Sequence, residues 1–176
     1  SDNSVTVGSA YRDYKTQASL SNPGFSDHHS GYCFSLKNMS IEAAEWIFGN
    51  CHKYGFIQRY PDNKYGETGI SDECFRYVGV AHATYIFEND LCLEEYVELL
   101  QTQYNRYSQP HLQIQGADGN LYDVYYTPAS GNDVTTLNVP ENYSYTISGD
   151  NTDDKTGAGD AVGGFIITVN LSDPQQ

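Results

Sequence analysis

Apolar positions recur at helical spacing in three stretches of the first hundred or so residues. Behind Ser40, Ile41, Ala44, Phe48 and Cys51 fall on one face with Ile47 and Tyr54 alongside, and Gly55 ends the series, which predicts a helix over 41–54. Residues 79–89 predict a second helix, and Leu93, Tyr96, Val97, Leu100, Tyr104 and Tyr107 share one face of a third. Between them, 55–60 and 74–78 alternate apolar and polar side chains as half-buried strands do.

Beyond Pro110 the pattern changes to strands and turns. Residues 111–115 and 121–127 flank Gly116-Ala-Asp-Gly-Asn120, whose Asp118-Gly119 pair signals a hairpin turn. Residues 134–139, 143–148 and 165–169 predict further strands, and the Gly-, Asp- and Thr-rich stretch 149–161 predicts a mobile loop. The expected organisation is a mixed α and β part over 1–109 and a β-rich C-terminal extension over 110–176. Strands of this kind bury one face, so the extension is expected to pack on the first part.

Composition narrows the function classes. A chain of 176 residues holds one ordinary domain with a small appendage, which excludes a large multidomain enzyme. Nine Lys and Arg against 23 Asp and Glu leave a formal charge of −14, a surface that repels phosphate backbones and anionic headgroups. Neither nucleic acid nor membrane insertion is expected, and no apolar run approaches the roughly 18 residues a span requires. Sixteen tyrosines supply apolar area with a polar tip, suited to a wet cleft and a polar ligand. Cys33, Cys51, Cys74 and Cys92 form no Cys-x-x-Cys pair. With an acidic, Lys-poor composition they predict an extracellular or cell-surface protein exported in the bacterial manner, its signal segment outside this chain.

Three segments together resemble one family. They are Ser9-Ala-Tyr-Arg-Asp-Tyr-Lys-Thr-Gln17, Pro23-Gly-Phe-Ser-Asp-His-His-Ser-Gly31, and Tyr54-Gly-Phe-Ile-Gln-Arg-Tyr-Pro61 leading to Thr68-Gly-Ile and Phe75-Arg-Tyr-Val-Gly79. In order and content, over most of residues 5–127, they resemble the zinc D-alanyl-D-alanine carboxypeptidases of the vancomycin-resistance, VanY-like type. The resemblance implies the Hedgehog/D,D-peptidase fold, an α+β arrangement whose antiparallel sheet floors a zinc site, here with about three helices and the β-rich extension.

Chemistry of that family needs three zinc ligands, an open position for water and a carboxylate base. Ligands come from a Ser-x-His-x-x-Gly-x-Ala-x-Asp segment and from the His of a Glu-x-x-His segment. Ser26, His28 and Gly31 match the first pattern, whereas Cys33 stands at the alanine and Ser35 at the aspartate. In the second, one alignment keeps Glu73 as the family base with Cys74 at a proline; a gapless one puts Cys74 on the histidine and Ser71 on the glutamate. Either way the zinc histidine is missing and His28 is the one matched ligand. The resemblance therefore implies no cofactor, unless zinc is held on His28 by an improvised set drawn from His29, Glu73 and Cys74. It also places Cys33 and Cys74 beside the vacated site, which implies a Cys33–Cys74 disulfide in place of the metal, with Cys51 and Cys92 as a second pair. Arg12, Gln17 and Ser26 match substrate-holding positions, and a guanidinium suits a carboxylate. Arg76 and Tyr77 are expected to brace the sheet, and Asp27 and Asp72 to be solvated.

Thr156-Gly-Ala-Gly-Asp-Ala-Val-Gly-Gly-Phe165 is similar to the anion-hole motif of ribokinase-like sugar kinases. The rest of such a kinase has no room in this chain, so the segment reads as a Gly-rich hairpin loop. The resulting expectation is a pseudoenzyme that binds a peptidoglycan stem peptide or another cell-surface peptide. The alternatives are an active zinc D,D-carboxypeptidase and a structural or adhesive surface domain.

Overall fold

The computed structural model describes residues 5–20, 26–70, 72–130, 134–150 and 163–175. The chain divides into two compact units, Ser1–Cys92 and Leu93–Gln176. Both are built on antiparallel sheets, and the class is α+β.

In the first unit, strands β1 (Thr6–Ser9), β2 (Cys33–Lys37), β3 (Phe56–Tyr60) and β4 (Asp72–Tyr77) form one sheet in the order β1-β2-β4-β3. Helices α1 (Tyr14–Ala18), α2 (Ile41–Asn50), α3 (Tyr65–Thr68) and α4 (Val80–Glu88) connect them. Ser40 caps α2, its Oγ accepting from Ala43 N at 3.2 Å. The predicted helix 41–54 ends as a 3-10 turn over Cys51–Tyr54, and Gly55 takes φ 82°. A Cβ at Gly55 would lie 2.7 Å from the Tyr77 ring and 3.1 Å from the Gly79 backbone, so only glycine fits the close turn into β3. Phe48 of α2 stacks on Phe75 at 5.7 Å, Phe75 on Phe34 at 5.6 Å, and Phe34 meets Phe56 edge-on at 5.3 Å. This aromatic layer holds α2 against one face of the sheet.

The second unit opens with α5 (Leu93–Gln103), which buries Tyr96, Val97 and Leu100. Strands β5 (Leu112–Gln115), β6 (Leu121–Pro128), β7 (Tyr143–Gly149) and β8 (Gly164–Pro174) follow, in the order β5-β6-β8-β7. The third predicted helix stops short of Tyr104 and Tyr107 because the chain there bonds to β6 instead: Tyr126 N donates to Tyr104 O at 2.8 Å and Arg106 N to Tyr126 O at 2.7 Å. The Asp118-Gly119 hairpin is present, with Gly119 at φ 83°. The strand expected over 134–139 does not form. Leu137 and Val139 instead pack as extended chain on the Tyr125, Ile167 and Val169 cluster, and Pro140 beside them offers no N–H to a ladder. Of the loop expected over 149–161, Gly149 ends β7 instead and Asp150 N donates to Gly164 O at 3.0 Å, while 151–161, and 156–162 of the kinase-like motif, lie outside the described residues. Among the described residues five α-helices stand where about three were expected, because α1 and α3 are single turns of five and four residues, too short for a periodic signal.

His82 of α4 is buried, and that burial pushes its pKa down from 6.5 to about 4. The unfolded chain takes up this proton near pH 6.5 and the folded chain only near pH 4, so the unfolded state binds more protons between the two. Stability is expected to fall as the pH drops through that window, by about 3 kcal/mol at its full extent. Urea midpoints measured across the window check this: the slope should flatten in His82→Gln, and an equally steep profile in the variant contradicts it.

Candidate functional site

Strands β2 and β4 pair with Cys33 opposite Arg76, Phe34 opposite Phe75 and Ser35 opposite Cys74. Because side chains alternate, Cys33, Ser35, Cys74 and Arg76 share one face, while Phe34, Phe75 and Glu73 share the other, where α2 packs. On the first face a disulfide joins Cys33 to Cys74, residues 41 apart with Cα atoms 6.6 Å from each other. Both cysteines are 2% exposed.

The turn over that face is the 3-10 helix Asp27–Ser30. Ser26 caps it, Oγ accepting from His28 N at 3.3 Å, and Gly31 ends it at φ 76°. Three bonds stitch the turn to the connection between β1 and α1. His28 Nδ1 pairs with Ala10 O at 2.7 Å, His29 Nδ1 with Arg12 O at 2.9 Å, and Arg12 N donates to His28 O at 3.2 Å. His28 is thereby buried at 4% exposure, with its ligating nitrogen and the two cysteine sulfurs all within 4.8 Å of one another.

Asp27 is not solvated as expected. Its carboxylate accepts from Arg59 Nε of β3 at 2.9 Å and from Arg76 Nη1 of β4, and Tyr60 OH lies 3.4 Å away. One half-buried carboxylate thus ties the turn to two strands, and Arg76 braces turn to sheet. The placement of Asp72's side chain lies outside what is described. A signal for this clamp existed in the sequence: Arg59 and Ile57 share a face of β3, so a charge was aimed at the covered side and required a partner.

Arg12 donates from Nε to Ser9 Oγ at 2.7 Å and from Nη1 to Gln17 Oε1 at 3.2 Å, and Gln17 is buried. The structure therefore joins Arg12, Gln17 and Ser26 to the turn that carries His28, and His28 itself lies against the disulfide. Glu73 is not with them. It is exposed on the α2 side, lining a groove of about 790 Å³ with Phe48, Gln58 and Tyr60. Cys51 and Cys92 do not form the second disulfide expected of them. Burial pushes the Cys51 thiol pKa up, which keeps it protonated and a poor partner for thiol exchange.

With the two sulfurs bonded to each other, this donor set does not fit catalytic zinc. It offers one imidazole nitrogen, a neutral serine at Ser35, and no carboxylate on the same face among the strand residues described.

Comparison with known proteins places the chain. The family profile VanY: D-alanyl-D-alanine carboxypeptidase matches residues 18–80. A D-alanyl-D-alanine carboxypeptidase of Enterococcus faecium is 35% identical over 179 aligned residues, 93% of this chain but 53% of that protein. The chain spans about half the length of that curated relative, or less for others it matches. Among solved structures, the vancomycin-resistance D,D-dipeptidase VanXYg, in complex with a D-Ala-D-Ala phosphinate analogue, superposes with a TM-score of 0.76 at 27% identity, over 96% of this chain and 74% of that one. A VanY D,D-pentapeptidase from a VanB-type resistance cassette, in complex with Zn(II), gives 0.50 at 29% identity, over 53% of this chain and 71% of its own.

Proposed function

We propose, from the chain's similarity in sequence and fold to the VanY-like D,D-peptidases, that it binds the D-alanyl-D-alanine end of a peptidoglycan stem peptide, or a similar cell-surface peptide, without hydrolysing it. The observation that carries this reading is the Cys33–Cys74 disulfide on the face where the family would hold its metal. Ser35 and Cys74 face each other across the β2–β4 register and share one face of the sheet, as two ligands of one metal could, and this favours the gapless alignment with Cys74 at the histidine. Glu73 then points away from the site, and the base position falls on Ser71. In this disulfide-bonded form hydrolysis lacks a set of ligands for a metal-bound water and a carboxylate on the same face together.

Binding keeps its parts. Ser9 and Gln17 hold the Arg12 guanidinium by two of its five donors, and the remaining N–H groups suit a terminal carboxylate. A disulfide and the absence, among the described residues, of any helix long and apolar enough to cross a membrane accord with a site exposed at the cell surface.

Calorimetric titration with a D-Ala-D-Ala-terminated pentapeptide, beside the tetrapeptide that lacks the last residue, tests the reading. The pentapeptide should bind, Arg12→Ala should weaken it about 10- to 100-fold, the worth of a charge-assisted bond, and no D-alanine should be released. Release of D-alanine that a chelator abolishes would establish the active enzyme instead. Failure of both peptides to bind would leave a structural or adhesive role.

A further inference from the structure

We infer that His28, Cys33 and Cys74 form a redox-gated site for zinc, which binds when the two sulfurs are reduced and is expelled when they bond to each other. This stands on the cluster's geometry alone and holds whether or not the chain binds a stem peptide. Three donor atoms of the right softness, one imidazole nitrogen and two sulfurs, lie within 4.8 Å of one another on three buried residues. Around tetrahedral zinc, ligands at about 2.0–2.3 Å stand roughly 3.3–3.8 Å apart. Opening the sulfur–sulfur bond lets Cys33 and Cys74 move to that separation by side-chain rotation, with no change of register between β2 and β4.

The imidazole is already oriented for the task. His28 Nδ1 lies 2.7 Å from the Ala10 carbonyl oxygen, which makes Nδ1 the protonated nitrogen and gives Nε2 the lone pair. A carbonyl behind a ligating histidine is the usual outer support of a metal site. The pocket's own turn is held by the Asp27 clamp, so the histidine arrives without help from the metal. Two thiolates cancel the charge of one divalent cation, which a buried site needs. Three protein ligands leave a fourth position for water or another small donor.

The switch balances as written. Two zinc-bound thiolates give two electrons to a small-molecule disulfide, which takes them with two protons and leaves as two thiols. The cysteines join, and zinc departs as the dication. A dithiol reductant runs the reverse course: it gives two electrons and two protons to the cystine, and zinc displaces the two protons from the thiols. Cys51 lies outside this cluster, its thiol pKa raised by burial.

The test uses the full chain made in a reducing cytoplasm with zinc supplied and purified without oxidant. It should carry one zinc per chain, exchangeable for cobalt with a thiolate-to-metal charge-transfer band, and it should lose the metal on treatment with oxidised glutathione as two thiols disappear. His28→Ala should weaken zinc about 10- to 100-fold. Cys33→Ser with Cys74→Ser should abolish the charge-transfer band, while Cys51→Ser with Cys92→Ser should leave it unchanged. A reduced wild-type chain without metal, metal retained after the disulfide forms, or unchanged affinity in His28→Ala would each overturn the proposal. Peptide titration of the oxidised chain is read separately, so failure of either proposal is recognised without the other.

Discussion

Replacing Cys33 and Cys74 together by serine is expected to lower the unfolding free energy of the oxidised protein by about 4 kcal/mol. The bridge joins residues 41 apart, and closing a loop of that length removes this much conformational freedom from the unfolded chain in the loop-entropy treatment. The double variant avoids a lone buried thiol and leaves two small polar groups on a face that the turn Asp27–Ser30 already covers. Urea denaturation should show a lower midpoint, with a slope that is unchanged or steeper, because the unfolded chain expands once freed. Adding a reductant to the wild type should reproduce the loss in the absence of zinc, and zinc should restore part of it, since a ligand of the folded state alone stabilises by mass action. A midpoint within error of the wild type would show that the bridge contributes nothing to stability.

Asp27→Asn is expected to cost about 4 kcal/mol as well, by a different route. The carboxylate side chain is 10% exposed, and it faces Arg59 and Arg76, whose side chains are 10% and 12% exposed. Asparagine keeps the shape and removes the charge, so both guanidiniums lose their anion in a place where water cannot replace it. Salt should rescue little, because the group is shielded from solvent ions. The double change Arg59→Met with Asp27→Asn should recover part of the loss, and a double-mutant cycle in thermal or urea unfolding measures the coupling. Additive losses would mean that the three residues do not act as a unit. Since the turn also carries His28, the same variant should weaken zinc uptake by the reduced chain, whereas Asp13→Asn, at the exposed cap of α1, should not.

Much of the architecture was legible where periodicity had length to work with. The apolar series behind Ser40, the face of α4 and the Tyr96, Val97 and Leu100 face of α5 all became helices, and the Asp118-Gly119 signal became a hairpin. Strands β1 and β2 left no such mark. Thr6–Ser9 and Cys33–Lys37 are short and mixed in polarity, and they become strands because their neighbours offer hydrogen-bonding edges. Residues 134–139 fail in the opposite sense: their apolar side chains find a core without a ladder.

The candidate site was legible through its pattern of departures. Cys33 and Cys74 drew attention because they sit where the family would not have cysteine, and spacing alone would not have paired them. Glu73 and Cys74 could not both face one site, since neighbours on a strand point to opposite sides, and the alternation of 74–78 already carried that constraint. The Asp27 clamp was legible only in part: the face of Arg59 calls for a partner, but Asp27, Arg59 and Arg76 are far apart along the chain and no spacing shows that both arginines meet one carboxylate.

That clamp bears on how such a site can change over generations. A metal centre usually holds its own loops in place, so losing one ligand loosens the others and the chain with them. Here the turn bearing His28 is moored to β3 and β4 by Asp27 through Arg59 and Arg76, none of which belongs to the His28, Cys33 and Cys74 cluster. A substitution at Ser35, which shares this face but enters neither the clamp nor the disulfide, is therefore expected to leave the turn in place. The anchorage lets the polarity of this face change while the scaffold stays.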